Sequence, residues 1–319
     1  MSNNKELISI IVPCYNEEES LPIFYEEINR VSNNMNKVNF EFIFINDGSK
    51  DKTIDILRKY SKKDKRVRYI SFSRNFGKEA GMYAGLTNAL GDYVAIMDAD
   101  MQDPPKMIEK MYEIIKKEKY DCVALYTKSH EGYSIIRKSL TKLWYKLIDK
   151  ISDSKQVPGA RDFRLMTRQM VDSIISMKEY NRYTKGMFGF VGFETKWLEY
   201  DAPDRAAGKS KFNLFKLIKY AFEGIVAFST SPLITSAYLG LIFCLIAFFA
   251  IIIIIIKTII WGDPVGGWPS LACLIVFIGG IQLFFFGIMG VYLSKIYLEV
   301  KKRPIFITKE TEADNNGKN

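Results

Sequence analysis

Tyr93-Val94-Ala95-Ile96-Met97-Asp98-Ala99-Asp100-Met101-Gln102-Asp103-Pro104-Pro105 is the stretch whose reading decides the fold. Residues 93–97 are short, apolar and partly β-branched, the composition of a buried strand. The run ends in three carboxylates within six residues, Asp98, Asp100 and Asp103, followed by two prolines. Proline cannot continue a strand's hydrogen-bond ladder, but it suits the first turn of a helix. The carboxylates therefore lie on the loop at the carboxyl end of a strand, where open α/β sheets bind ligands. Asp98, Asp100 and Gln102 offer hard oxygen donors in a small space. That set suits Mg²⁺ or Mn²⁺ carrying a diphosphate, a cation that takes about one or two protein carboxylates. An Asp-x-Asp alone also serves as an acidic turn capping the next helix, so the other loops must be weighed with it.

Outward from this stretch, strands and helices alternate. Apolar runs at 7–12, 40–45, 67–72 and near 121–125 predict strands, and 17–31, 53–60, 78–90 and 105–117 predict helices. Such alternation predicts an α/β domain with a mostly parallel sheet and helices on both faces. Polar loops follow each of the first three strands: Pro13-Cys14-Tyr15-Asn16-Glu17, Asn46-Asp47-Gly48-Ser49 and Ser73-Arg74-Asn75-Phe76-Gly77-Lys78. Any one of them is ordinary turn chemistry. Four on one sheet edge, counting the acidic loop, form a candidate site. There Asp47 can accept hydrogen bonds from a uracil or a ribose, and Gly48 permits a close backbone approach.

The chain of 319 residues carries a net charge of +9, yet 48% of it is hydrophobic. Basic residues crowd the middle and the flanks of a very apolar C-terminal third. This points to an anionic membrane surface or phosphate-bearing substrates, and no nucleic-acid-binding signature is present. Cys14, Cys122, Cys244 and Cys273 are scattered and read as reduced thiols. The first apolar run is too short for a signal peptide and is followed by Pro13.

From residue 135 the pattern changes. Leu140, Leu143, Trp144, Leu147, Ile148 and Ile151 form one helical stripe, and Lys138, Lys142, Lys146 and Lys150 form another. The 135–151 segment is thus an amphipathic basic helix, suited to the membrane interface or to packing on a core with its lysines in solvent. A second such segment, 212–222, runs into the apolar region and favours the interface for both. Residues 224–256 and 264–294 contain no charged side chain, and each exceeds the roughly 20 residues that span a bilayer. Lys209, Lys211, Lys216 and Lys219 precede the first span, while Lys295, Lys301, Lys302 and Arg303 follow the second. The positive-inside rule then places both flanks and the N-terminal domain in the cytoplasm. The expected organisation is a catalytic domain over 1–223, a two-helix transmembrane hairpin over 224–298 with spans near 230–256 and 267–294, and a cytoplasmic tail over 299–319. Residues 309–319 are polar and expected to be disordered. Gly279, Gly280, Gly287 and Gly290 either permit close helix approach or are ordinary membrane-helix glycines.

Six motifs now stand in order: Pro13-x-Tyr15-Asn-Glu17, Asn46-Asp-Gly-Ser49, Ser73-Arg-Asn-Phe-Gly77, Asp98-Ala-Asp-Met-Gln-Asp103, Asp162-Phe-Arg-Leu-Met166 and Arg205-Ala-Ala-Gly-Lys-Ser-Lys211. With them the chain resembles the polyprenyl-phosphate glycosyltransferases of the dolichol-phosphate-mannose-synthase type, most closely the bactoprenol glucosyltransferases, over about 6–305. The resemblance implies a GT-A (nucleotide-diphosphosugar-transferase) fold and a divalent metal. It also implies inverting transfer of a sugar, glucose first, from a UDP-sugar to a polyprenyl phosphate at a membrane. It assigns Asp98, Asp100 and Gln102 to metal and diphosphate. It assigns Pro13, Tyr15, Glu17, Asp47, Asn75, Lys78 and Lys209 to the nucleotide sugar. Asp100, Asp162 and Arg205 go to catalysis, and Lys128, Arg137, Lys138, Ser210 and Lys211 to the acceptor phosphate. Asp162 either orients a hydroxyl or an acceptor-site cation, or acts as base. A homo-oligomer, a tetramer in the family, is also implied. Phe190 stands where many relatives have tryptophan, and His130 has no evident partner. N-acetylglucosamine and galactose stand behind glucose. A processive polysaccharide synthase would need a Gln-x-x-Arg-Trp segment and further spans, which this chain lacks. An inactive membrane scaffold or transport subunit is opposed by the retained Asp98, Asp100 and Asp162.

Overall fold

The computed structural model describes residues 5–127, 157, 159–200, 231–261 and 267–316. Its first half alternates strand and helix: β1 (Leu7–Cys14), α1 (Ser20–Asn34), β2 (Asn39–Asn46), α2 (Thr53–Lys63), β3 (Val67–Phe72), α3 (Lys78–Asn88), β4 (Tyr93–Ile96), α4 (Met107–Glu118) and β5 (Cys122–Tyr126). These match the expected elements to within a few residues. The remaining elements are β6 (Ala160–Thr167), α5 (Arg168–Ser176), α6 (Thr184–Phe190), β7 (Thr195–Glu199), α7 (Ser231–Trp261), α8 (Trp268–Val300), β8 (Thr308–Thr311) and α9 (Glu312–Asn316).

The strands form one eight-stranded sheet in the order β7-β5-β6-β4-β1-β2-β3-β8. The β1–β2, β1–β4 and β2–β3 pairs are parallel. Alternate residues of β2 show why both faces are covered. Phe40, Phe42 and Phe44 enter one apolar cluster with α1 and α4, while Ile43 and Ile45 enter the other with α3 and α5. A strand buried on both faces reads as a continuous apolar run, which is how β1 and β2 were legible.

Two strands, β6 and β8, run against the parallel pattern. β6 runs antiparallel between β4 and β5, and β7 pairs parallel with β5 at one edge. At the other edge β8 pairs antiparallel with β3. The polar stretch 309–319, expected to be disordered, therefore forms β8 and α9 through Asn316. Its acidic residues find cations on the domain. Arg58 forks onto Glu310 at 2.6 and 2.9 Å, and Arg68 Nε reaches Glu312 at 3.1 Å. Phe306 stacks on Phe72 with centroids 4.8 Å apart.

Helices α7 and α8 span 31 and 33 residues and meet edge to face through Phe243 and Phe277. Within α8, Phe277–Val300 is long and apolar enough to cross a membrane. The expected interfacial helices, 135–151 and 212–222, lie outside the described residues.

Candidate active site

The carboxyl ends of β1 to β4 open onto one edge, and their loops are tied to one another. Asn16 adopts a left-handed backbone (φ 56°). Its side-chain oxygen accepts the Lys50 N–H at 2.9 Å, and its own N–H donates to Ser49 Oγ at 3.0 Å. The Glu17 N–H donates to Thr53 Oγ1 at 2.9 Å. Asp47 is 4% exposed. Its carboxylate accepts the backbone N–H groups of Phe76 at 2.6 Å and Gly77 at 2.9 Å. Burial pushes the Asp47 carboxyl up, while those two N–H groups pull it down. Asn75 donates to the Asp47 carbonyl at 3.3 Å. Gly48 (φ 65°) is required, because a Cβ there would stand 2.4 Å from the Arg74 carbonyl carbon. Tyr15 is exposed at the rim, and Pro13 packs under Gly81 of α3.

Antiparallel β6 completes the edge. Because Ile96 of β4 pairs with Arg164 of β6, Asp162 at the start of β6 comes level with Asp98 just past the end of β4. Lys78, the first residue of α3, bridges them. Its Nζ lies 2.6 Å from Asp98 Oδ1 and 2.6 Å from Asp162 Oδ2. Lys185 of α6 adds a second cation 3.7 Å from Asp162 Oδ1. Burial alone would raise the Asp162 carboxyl, but Lys78 and then Lys185 outweigh it and hold it well below the usual carboxylate range. Burial lowers the Lys78 ammonium, and its two carboxylates raise it well above the usual lysine value.

The loop after β4 is held from beneath. Asp103 is 1% exposed and accepts from Arg161 Nε at 2.9 Å and from the Tyr200 hydroxyl at 2.5 Å. Burial drives its carboxyl up against Arg161. Above it, Asp100 Oδ1 accepts the Gln102 N–H at 3.1 Å, and Met101 takes a left-handed turn (φ 61°). The Gln102 side-chain oxygen faces Arg161 Nη2 at 3.5 Å.

The sequence-predicted residues Pro13, Tyr15, Glu17, Asp47, Asn75, Lys78, Asp98, Asp100, Gln102 and Asp162 thus all stand at this edge or in the loops that build it. Lys128, Arg137, Lys138, Arg205, Lys209, Ser210 and Lys211 lie outside the described residues, as does His130. Three contributors escaped sequence reasoning. Arg161 precedes a recognised motif, so adjacency pointed to it. Lys185 and Tyr200 carry no spacing signal, and only the packing of α6 and the end of β7 brings them in.

Among the described residues no group of three His, Cys, Asp or Glu side chains is gathered for a metal. The donor set nonetheless fits a hard cation. Asp98 and Asp100 are partly exposed carboxylates with one residue between them, and Mg²⁺ or Mn²⁺ needs about one or two of these beside substrate phosphates.

Residues 9–175 match the model of Glycosyl transferase family 2. The bactoprenol glucosyl transferase of Shigella phage SfII is 42% identical over 309 residues, covering 97% of this chain and 99% of that protein. A prophage bactoprenol glucosyl transferase homolog of Escherichia coli K12 is 42% identical over 306 residues, covering 96% and 99%. Among solved structures, mannosyl-3-phosphoglycerate synthase from Rubrobacter xylanophilus aligns with a TM-score of 0.48 at 15% identity, over 69% of this chain and 72% of that one. The strand-end motifs that build the site lie within the matched segment, and the end-to-end identity extends the match across the helices that follow: the chain belongs to glycosyl transferase family 2.

Proposed function

We propose that this enzyme transfers glucose from UDP-glucose to undecaprenyl phosphate or a related polyprenyl phosphate at the cytoplasmic face of a membrane. The observation that carries the reading is the 42% identity to a bactoprenol glucosyl transferase over 97% of the chain, α7 and α8 included. The Lys78–Asp98–Asp162 cluster supplies the chemistry. Asp98, Asp100 and Gln102 would hold Mg²⁺ or Mn²⁺, which would stabilise the charge that develops on the leaving diphosphate.

The acceptor is a phosphate monoester whose second pKa, about 6, leaves it largely dianionic at neutral pH. Its oxygen forms the new bond to the anomeric carbon as the bond to UDP breaks on the opposite side, so the configuration inverts. Such a nucleophile carries no proton that must be removed. Asp162, held ionised by Lys78 and Lys185, is also a poor proton acceptor. We therefore assign it to orientation of the sugar or of Lys78, not to general base catalysis. Arg205 and Lys209 would add positive charge to the leaving group. Lys128, Arg137, Lys138, Ser210 and Lys211 would receive the acceptor phosphate. Helices α7 and α8 would form the membrane hairpin, with Lys295, Lys301, Lys302 and Arg303 on the cytoplasmic side.

The test is UDP release by purified protein in bilayers with undecaprenyl phosphate and Mn²⁺ or Mg²⁺, across UDP-glucose, UDP-N-acetylglucosamine and UDP-galactose. UDP-glucose should be preferred. Preference for another sugar would replace the donor assignment, and release with none would overturn the reading in favour of an inactive scaffold.

A further inference from the structure

A cavity of about 290 Å³ lies beside α8, and its lining includes none of Lys78, Asp98, Asp162 and Lys185. Three cations border it, Arg74, Arg182 and Lys295, against one carboxylate, Glu79. That carboxylate is already engaged, because Glu79 accepts both the backbone N–H and the hydroxyl of Thr184. Glu299, one turn along α8 from Lys295, is engaged by the backbone N–H groups of Tyr180 and Asn181 at 2.9 and 3.1 Å. The cations retain unused donors. Among the described residues Lys295 gives one hydrogen bond, to Asn181 Oδ1 at 3.2 Å, out of the three that an ammonium can make. Arg74 lies with its guanidinium 4.0 Å from the centre of the Phe76 ring and, among the described residues, gives one hydrogen bond, to the Asn75 carbonyl. Arg182 is 8% exposed, its guanidinium is held over Tyr83 at 4.3 Å, its Nη groups donate to the Met177 and Ile174 carbonyls, and its Nε–H has no partner among the described residues. A buried arginine N–H left unpaired is costly, and a phosphate oxygen is the acceptor that guanidinium geometry suits.

We propose that this cavity binds a phosphate group, as the headgroup of an anionic phospholipid or as free phosphate, at a site separate from the acceptor's. Its position favours the lipid source. Lys295 lies near the end of the apolar segment Phe277–Val300, so, on the reading that α8 crosses the membrane, the cavity stands at headgroup depth. Basic pockets beside spanning helices on the cytoplasmic side hold anionic headgroups in this way. The volume lies at the lower end of small-ligand pockets, suited to a headgroup and not to acyl chains. The site also abuts the catalytic cluster through the chain. Glu79 and Thr184, joined across the cavity's edge, are the sequence neighbours of Lys78 and Lys185, which converge on Asp162.

The test uses the full chain in phosphatidylcholine nanodiscs. Inorganic phosphate is titrated by calorimetry, and phosphatidylglycerol retention is measured by native mass spectrometry, for wild type, Lys295→Gln and Arg74→Gln. Wild type should bind at least one of the two, and each variant should weaken binding about tenfold, the loss of one charge-assisted hydrogen bond. Binding of the lipid alone identifies a headgroup site, and binding of phosphate as well identifies a free-phosphate site. Absence of both, or variants that bind like wild type, overturns the inference. So does a variant whose only change is a raised KM for polyprenyl phosphate, which would make the cavity part of the acceptor site. Sugar transfer by wild type in phosphatidylcholine alone tests the proposed function independently, so either reading can fail while the other stands.

Discussion

Lys78 and Asp162 stand 84 residues apart in the sequence and 2.6 Å apart in the fold. The pair exists because β6 runs antiparallel to β4 and starts where α3 starts, at the carboxyl edge of the parallel strands. Replacing Lys78 by Met removes the largest of the cationic influences on Asp162, ahead of Lys185 and Arg164. Turnover should fall by about 10² or more, the cost of losing one preorganised charge partner. The pH profile should move as well. The folded-state pKa of Asp162 is depressed, so in the wild type the carboxylate stays ionised until the pH falls below the usual carboxylate range. Without Lys78, burial is less opposed, the pKa rises, and the acid limb of kcat should shift to higher pH. Lys78→Arg should restore the limb's position better than it restores turnover. An unmoved acid limb in Lys78→Met would refute the role given to this pair.

Asp100→Asn should abolish transfer, by about 10² to 10³, while leaving the fold intact. Asp100 lies on the loop beyond β4 and orders the Gln102 amide, a contact that Asn can keep. The charge that would hold a divalent cation is lost. Near-normal turnover at saturating Mn²⁺, with an unchanged circular dichroism spectrum, would remove Asp100 from the metal assignment.

Glu310→Gln should loosen the strand that closes the β3 edge. Glu310 accepts a two-pronged bond from Arg58 and a bond from the Tyr69 hydroxyl at 3.0 Å. The pair is partly exposed, so the cost is discounted to about 1 kcal/mol, or roughly 2–4 °C in Tm. Arg58, the largest influence, lowers the Glu310 pKa. Its contribution is therefore fully present above the ordinary glutamate value and is lost as the pH falls through the lowered one. The Tm difference between wild type and Glu310→Gln should shrink on acidification. A difference that is constant from neutral to acid pH would exclude the ion pair as its cause.

Neutral replacement of Lys138, Lys142 and Lys146 together should raise the apparent KM for polyprenyl phosphate and leave that for the UDP-sugar little changed. The lysines would attract anionic headgroups at about 1 kcal/mol each near the surface. The hairpin would still anchor the protein, so membrane attachment should persist. A short-chain, water-soluble acceptor should show a smaller effect. Equal losses with the two acceptors, or a change confined to the donor, would assign this segment to the soluble domain.

The sequence by itself determined the parallel half of the sheet and the strand-end loops. Strands buried on both faces must be continuous apolar runs, and loops that turn toward a ligand must carry Gly, Asn and Asp. For the same reason Asp98, Asp100 and Asp47 were legible as a site before any geometry was known. The charge-free runs at 224–256 and 264–294 were equally plain, since an apolar helix of that length needs no partner to declare itself. Only the tertiary structure decided what antiparallel and edge pairing did. β6 carries Arg161, Asp162 and Arg164, charges that argue against a central strand until their partners are known. Arg164 lies 3.4 Å from the centre of the Phe188 ring, Asp162 meets Lys78, and Arg161 meets Asp103. β8 and α9 are polar segments that form because Arg58 and Arg68, far away in the sequence, await Glu310 of the one and Glu312 of the other. Local pattern records which residues must leave water; which charges find each other is a property of the closed sheet.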